Sequence, residues 1–132
     1  MKILVVDDEF VSLSKMTSLL SAYGQCDAAT NGGQAVQMIG EAFARGEPYE
    51  LVTLDIDMPV MNGIEVLRSI GVMERIQQIP RAMKLMVSAS LSAPNVLKAK
   101  ELHCDGFLVK PVMSDLLYAT LAKLGLNLPA QE

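Results

Sequence analysis

Four places in the chain carry residues whose types could do chemistry together. Asp7, Asp8 and Glu9 follow an apolar run near the start, and Asp55 and Asp57 stand one residue apart in LDIDMPVMNG. Ser88 lies in VSAS, and Lys110 precedes Pro111 in FLVKP. Carboxylates gathered at one point repel one another, which raises their pKa values unless a cation holds them together. A hard, oxygen-seeking divalent ion such as Mg2+ suits that role, because it binds through one or two carboxylates and keeps several waters. A metal, an ammonium and a hydroxyl converging on one carboxylate would make it a site for a dianionic phosphoryl group. Everything therefore depends on whether the fold brings the four places to one edge.

The elements that would do so are written in the periodicity. Ile3 to Val6, Leu51 to Leu54, Leu85 to Val87 and Phe107 to Val109 are short apolar runs that read as buried strands. Gln25 to Ala29 is a weaker strand, suited to an edge. Between them, Leu13, Met16, Leu20 and Tyr23 recur at helical spacing, as do Ala35, Ile39 and Ala42, and later Leu117, Leu121 and Leu124. Ser92 ahead of Pro94 marks one helix start and Ser114 another, while Gly24, Gly46 and Gly125 stand where helices should stop. The pattern is a strand and a helix repeated five times. It predicts right-handed crossovers and a mostly parallel sheet covered on both faces. Pro59 and Asn62-Gly63 supply turn chemistry, so Asp55 should sit where a strand ends. Each of the other chemical residues also follows a strand. Ligands of such sheets bind beyond the carboxyl ends of the strands.

Composition narrows the classes. A chain of 132 residues with 51% hydrophobic and 20% charged residues suits one globular domain with a real core. A net charge of -4 and the lack of a basic face argue against nucleic acid as a direct partner. Cys26 and Cys104 have neither metal-site spacing nor the density of a disulfide scaffold. The run after Met1 is too short for a signal peptide or membrane span, and no later run is longer, so a cytoplasmic protein without membrane attachment is expected.

VVDDE, LDIDMPVMNG, VSAS and FLVKP, in this order and spacing, resemble the receiver domain of two-component response regulators, chemotaxis-regulator-like, over essentially the whole chain. The resemblance implies a flavodoxin-like doubly wound fold with strand order 2-1-3-4-5, a receiver at residues 1–126 and a tail at 127–132. It makes Asp55 the phosphoacceptor, whose carboxylate attacks the phosphorus of a phosphohistidine on a sensor histidine kinase or phosphotransfer protein. It gives Mg2+, with Mn2+ as a substitute, carboxylate ligands from Asp8 and Asp55 and the backbone carbonyl of Asp57, with Asp7 acting mostly through water. Lys110 would pair with Asp55 and then with a phosphoryl oxygen. Ser88 would follow the phosphoryl group, Phe107 would turn inward, and an output partner would read the fourth helix, fifth strand and fifth helix. The protein would catalyse only its own phosphorylation and dephosphorylation, and output would come through binding. Two departures stand out: Asp57 carries a carboxylate where many relatives are neutral, which bears on phosphoryl lifetime, and Gly71 to Lys84 is long, which bears on the end of the third helix.

Taken singly, these residues have plainer readings. Asp7, Asp8 and Glu9 could cap the first helix, Lys110 could be a solvated loop lysine, Ser88 a strand-end hydroxyl and Phe107 ordinary core. His103, the lone histidine, reads as a partly buried helix-end residue. Two rival functions remain. LDID superficially resembles the DxD motif of haloacid-dehalogenase-like phosphatases, aspartyl-nucleophile phosphohydrolases, although that motif follows a first strand and here about fifty residues precede Asp55. A non-phosphorylated pseudo-receiver that only docks partners is the other.

Overall fold

The computed structural model describes residues 1–128; Pro129 to Glu132, expected as the end of a tail, lie outside the described residues. Ten elements alternate as the periodicity predicts: β1 (Lys2–Val6), α1 (Phe10–Leu20), β2 (Gln25–Ala29), α2 (Gly32–Ala44), β3 (Leu51–Asp55), α3 (Gly63–Gln77), β4 (Met83–Ser88), α4 (Ala93–Glu101), β5 (Gly106–Val109) and α5 (Ser114–Lys123). The five strands form one parallel sheet of order β2-β1-β3-β4-β5, the flavodoxin-like arrangement.

Alternation along the strands sends successive side chains to opposite faces. Leu4, Val6, Val52, Leu54 and Met86 pack under α2, α3 and α4, against Ala35, Ile39, Leu67, Ile70 and Ala99. Ile3, Val5, Leu51, Leu85, Val87 and Leu108 pack under α1 and α5, against Leu13, Met16, Leu20, Leu117 and Leu121. Because both faces are covered, the central strands are buried along most of their length rather than alternating, and β3 is buried at every position. The polar edge strand β2 is the exception, as its sequence suggested.

Register decides where the strand ends meet. Val6 stands opposite Leu54, Asp55 opposite Val87, and Ser88 opposite Val109. The carboxyl ends of β1, β3, β4 and β5 are thus level, and the residues that follow them share one edge.

Helix ends show local chemistry that periodicity did not reveal. Asn62, read from sequence as turn chemistry, caps α3: its side chain accepts from the Glu65 N–H at 2.9 Å, and Glu65 accepts in return from the Asn62 N–H at 3.2 Å, a complete capping box. Ser92 caps α4, whereas Ser114 is the first residue of α5 and Met113 takes the cap position with no side-chain bond. The long segment before β4 is absorbed by α3, which runs 15 residues and ends on Gln78 in the left-handed region at φ 55°. His103 does end α4 but is exposed rather than partly buried, with φ 63°.

At the opposite edge, α3 is tied to the sheet by a buried ion pair. Lys84 is 3% exposed, and its ammonium donates to Glu74 Oε1 at 2.5 Å. Glu74 Oε2 also accepts from the Ala82 N–H at 2.8 Å, while the Lys84 N–H donates to Asp105, which in turn pairs with Arg81. Burial pulls the Lys84 pKa down, and its bond to Glu74 opposes that pull.

Candidate functional site

Asp55 is the last residue of β3 and only 2% exposed; Asp7, just beyond β1, is 6% exposed, and Asp8 beside it faces solvent. Their carboxylate oxygens lie within 4.8 Å of one another. The Lys110 ammonium reaches in from the end of β5 and bridges two of them, 2.9 Å from Asp7 Oδ2 and 3.4 Å from Asp55 Oδ2. Backbone donors complete the set. The Glu9 N–H donates to Asp7 Oδ1 at 2.9 Å, and the Asp57 N–H to Asp55 Oδ1 at 3.1 Å. Asp7 therefore does not serve as a helix cap; Glu9 takes the cap position of α1, with no side-chain cap bond.

The electrostatics follow from burial. Loss of hydration pushes the Asp55 pKa up to about 6; the Asp57 N–H and Lys110 oppose the rise, and the nearby Asp7 adds to it. Burial also works against the charge of Lys110, but its bond to Asp7 and the charges of Asp55 and Asp7 outweigh it, so its pKa is raised. One ammonium is too little positive charge for three carboxylates. An all-oxygen donor set with two buried members and a carboxyl driven toward protonation fits a hard divalent cation.

The connection from β3 to α3 is shaped to present Asp55. A Cβ on Gly63 would come within 2.4 Å of the Asp55 carbonyl oxygen, so only glycine lets the start of α3 approach the acidic strand end this closely. Val60 in the same connection holds φ 67° and is fully exposed. Beside Lys110, a cavity of about 420 Å3 opens between α1 and Pro111, with Asp7, Val11, Lys15 and Val112 in its walls. The Lys110-Pro111 peptide is cis.

The sequence matches the family model of the response regulator receiver domain over residues 3–122. The chain belongs to that family. This receiver is 29% identical over 127 residues to hybrid signal transduction histidine kinase L of Dictyostelium discoideum, covering 96% of the chain but 7% of that kinase. It is also 29% identical over 126 residues to the chemotaxis protein CheY of Pseudomonas aeruginosa, covering 94% of the chain and 95% of the relative. Among solved structures, the CheX-CheY-BeF3-Mg+2 complex from Borrelia burgdorferi holds a similar chain: TM-score 0.80, 25% identity, 95% of the receiver and 89% of that chain.

Of the residues singled out in the sequence, Asp7, Asp8, Asp55 and Lys110 converge. Ser88 is fully buried at the end of β4, yet its hydroxyl does not point to Asp55; it donates to Asp57 Oδ2 at 2.7 Å or to the Ser90 carbonyl at 3.0 Å. The Asp57 carboxylate is thus engaged by Ser88 and is not part of the acidic trio. Phe107 is half-buried on the face covered by α4. Two pairings escaped sequence reasoning, Lys110 with Asp7 and Ser88 with Asp57. Both depend on side-chain direction at level strand ends, which no spacing encodes.

Proposed function

We propose that this receiver accepts a phosphoryl group on Asp55 from a phosphohistidine of a sensor histidine kinase or phosphotransfer protein, and that the added charge changes a protein-binding face. The observation that carries the reading is the convergence of Asp7, Asp8 and Lys110 on a buried Asp55 at the carboxyl edge of a parallel sheet. One Asp55 oxygen attacks phosphorus as the P–N bond breaks, and the electron pair leaves with the imidazole. An acyl phosphate forms, and Asp55 must be ionised to begin.

Carboxylates of Asp8 and Asp55 and the backbone carbonyl of Asp57 would hold Mg2+ or Mn2+, with Asp7 acting mostly through water, and such an ion would supply charge neutralisation to the carboxylates and the incoming phosphoryl group. Lys110 exchanges its contact with Asp55 for one with a phosphoryl oxygen. The cavity beside Lys110 leaves an approach for the donor between α1 and the β5–α5 connection. On the signalling side, the Ser88 hydroxyl moves to the phosphoryl group and Phe107 turns inward. The surface of α4, β5 and α5 already exposes Leu97, Val109 and Leu116, a face suited to an output protein rather than to nucleic acid. A cytoplasmic setting goes with this reading, and no helix among the described residues is long and apolar enough to cross a membrane.

Acetyl phosphate with Mg2+ should raise the intact mass by one phosphoryl unit in the wild type and leave Asp55→Asn unchanged. An adduct that persists in Asp55→Asn, or steady turnover of an added phosphoester, would sink the proposal.

A further inference from the structure

The side chain of Asp57 has a bond that the phosphoacceptor reading does not use. Its carboxylate accepts the hydroxyl of Ser88 at 2.7 Å, while the Ser90 N–H donates to the same hydroxyl oxygen at 3.1 Å. A serine has one O–H to give. Given to Asp57, or to the Ser90 carbonyl at 3.0 Å, it is not available to an oxygen on Asp55. Hydrogen bonds to ionised acceptors are shorter and stronger than those between neutral groups, so Asp57 is the better of the two resting partners.

We propose that the Asp57 carboxylate is a latch on Ser88: it holds the hydroxyl in its resting direction and so lowers the fraction of molecules ready to engage a phosphoryl group. This rests on the reading of Asp55 as acceptor and adds a residue that sets how readily the switch is thrown. Three observations support it. Asp57 lies outside the acidic trio, so its side chain is not committed to the cation site. Asp57 is exposed, so water solvates its carboxylate once Ser88 leaves, and the latch opens without stranding a charge. Ser88 is 0% exposed, so its hydroxyl must exchange one protein acceptor for another and finds no water in between. Asp57 acts through Ser88 and is a positioning residue, not a catalytic one.

A ligand that needs the released hydroxyl binds more weakly by the fraction of molecules in which it is released. The test is the affinity for beryllofluoride at saturating Mg2+, measured by thermal shift or NMR titration on a double-mutant cycle of Asp57→Ala and Ser88→Ala. Asp57→Ala should bind about tenfold more tightly than the wild type, the scale set by one bond to a charged group, and that gain should vanish in the Ser88→Ala background. Asp57→Asn, which keeps an acceptor without the charge, should show a smaller gain of the same sign and serves if Asp57→Ala does not fold. With no metal or beryllofluoride present, the Ser90 amide should exchange with solvent several-fold faster in Asp57→Ala, because its acceptor is freed to rotate. No gain, or an equal gain with and without Ser88, would show that Asp57 acts by charge or bulk alone and overturn the latch. A wild type that does not respond to beryllofluoride at all would instead overturn the acceptor reading, and the latch with it.

Discussion

Burial raises the pKa of Asp55 to about 6, whereas the unfolded chain presents an aspartate near 3.8. Between those values the native state holds a proton that the unfolded state has lost, so stability falls as pH rises from about 4 to about 6 and stays lower above. Asp55→Asn removes that penalty. In chelator at pH 7.5 it should be more stable than wild type to urea by on the order of 1–3 kcal/mol, and the difference should close below pH 4. Adding Mg2+ at pH 7.5 should recover stability for the wild type and much less for the variant. The other residue-scale strain is at Val60, where a β-branched side chain sits in the left-handed region with nothing packed on it. Val60→Asn should stabilise the fold by about 1 kcal/mol, read as a higher thermal midpoint, without affecting phosphorylation of Asp55. At this scale the sequence named the acidic trio and the lysine. It could not show that Lys110 lies nearer Asp7 than Asp55, nor that Asp57 takes the serine hydroxyl, because rotamers at a crowded edge are chosen by neighbours distant in the chain.

Elements were easier to read than their ends. β2 matched its expected bounds, and the other strands and the helical stripes were found to within a few residues, because a short continuous apolar run and a recurrence every 3.6 residues leave different traces. The end of α3 was obscure for a physical reason: its last turn is held by Glu74 against Lys84 of β4, a contact between elements rather than a local signal. Lys84 looks like a surface residue in sequence and is almost wholly buried. Removing one partner should therefore be severe. Glu74→Ala leaves a buried ammonium and an unpaired Ala82 N–H, and should cost about 3–5 kcal/mol in chemical denaturation. Replacing both residues, as in Glu74→Leu with Lys84→Met, should recover most of that loss. α4 contrasts with α3: only Ala99 is buried along it, with Val96 and Leu102 partly so. So thin an apolar stripe is a weak anchor, and the helix can shift at low free-energy cost.

For the whole molecule, the layered architecture followed from counting alternations, while the order of strands came with the family resemblance, since periodicity alone does not say which neighbours pair. That order has a consequence for how the chain is made. Of the ten elements β1 leaves the ribosome first, yet one of its faces is closed by α5: Ile3 and Val5 share a cluster with Leu117 and Leu121, and the Tyr23 and Tyr118 rings meet at a tilt with centroids 5.8 Å apart. The other face is complete once β5 has followed α4 out and added Phe107 to it. A nascent chain at that stage carries one finished layer and one apolar sheet face covered by α1 alone, which no local rearrangement hides, because parallel strands pair only through distant crossovers. A chain stopped at residue 112, before α5, should keep much of its helix signal but lose cooperative urea unfolding and bind a hydrophobic dye; a sharp two-state transition would show that the sheet does not wait for α5. The interval before α5 emerges is thus the window in which a growing chain has most need of a chaperone.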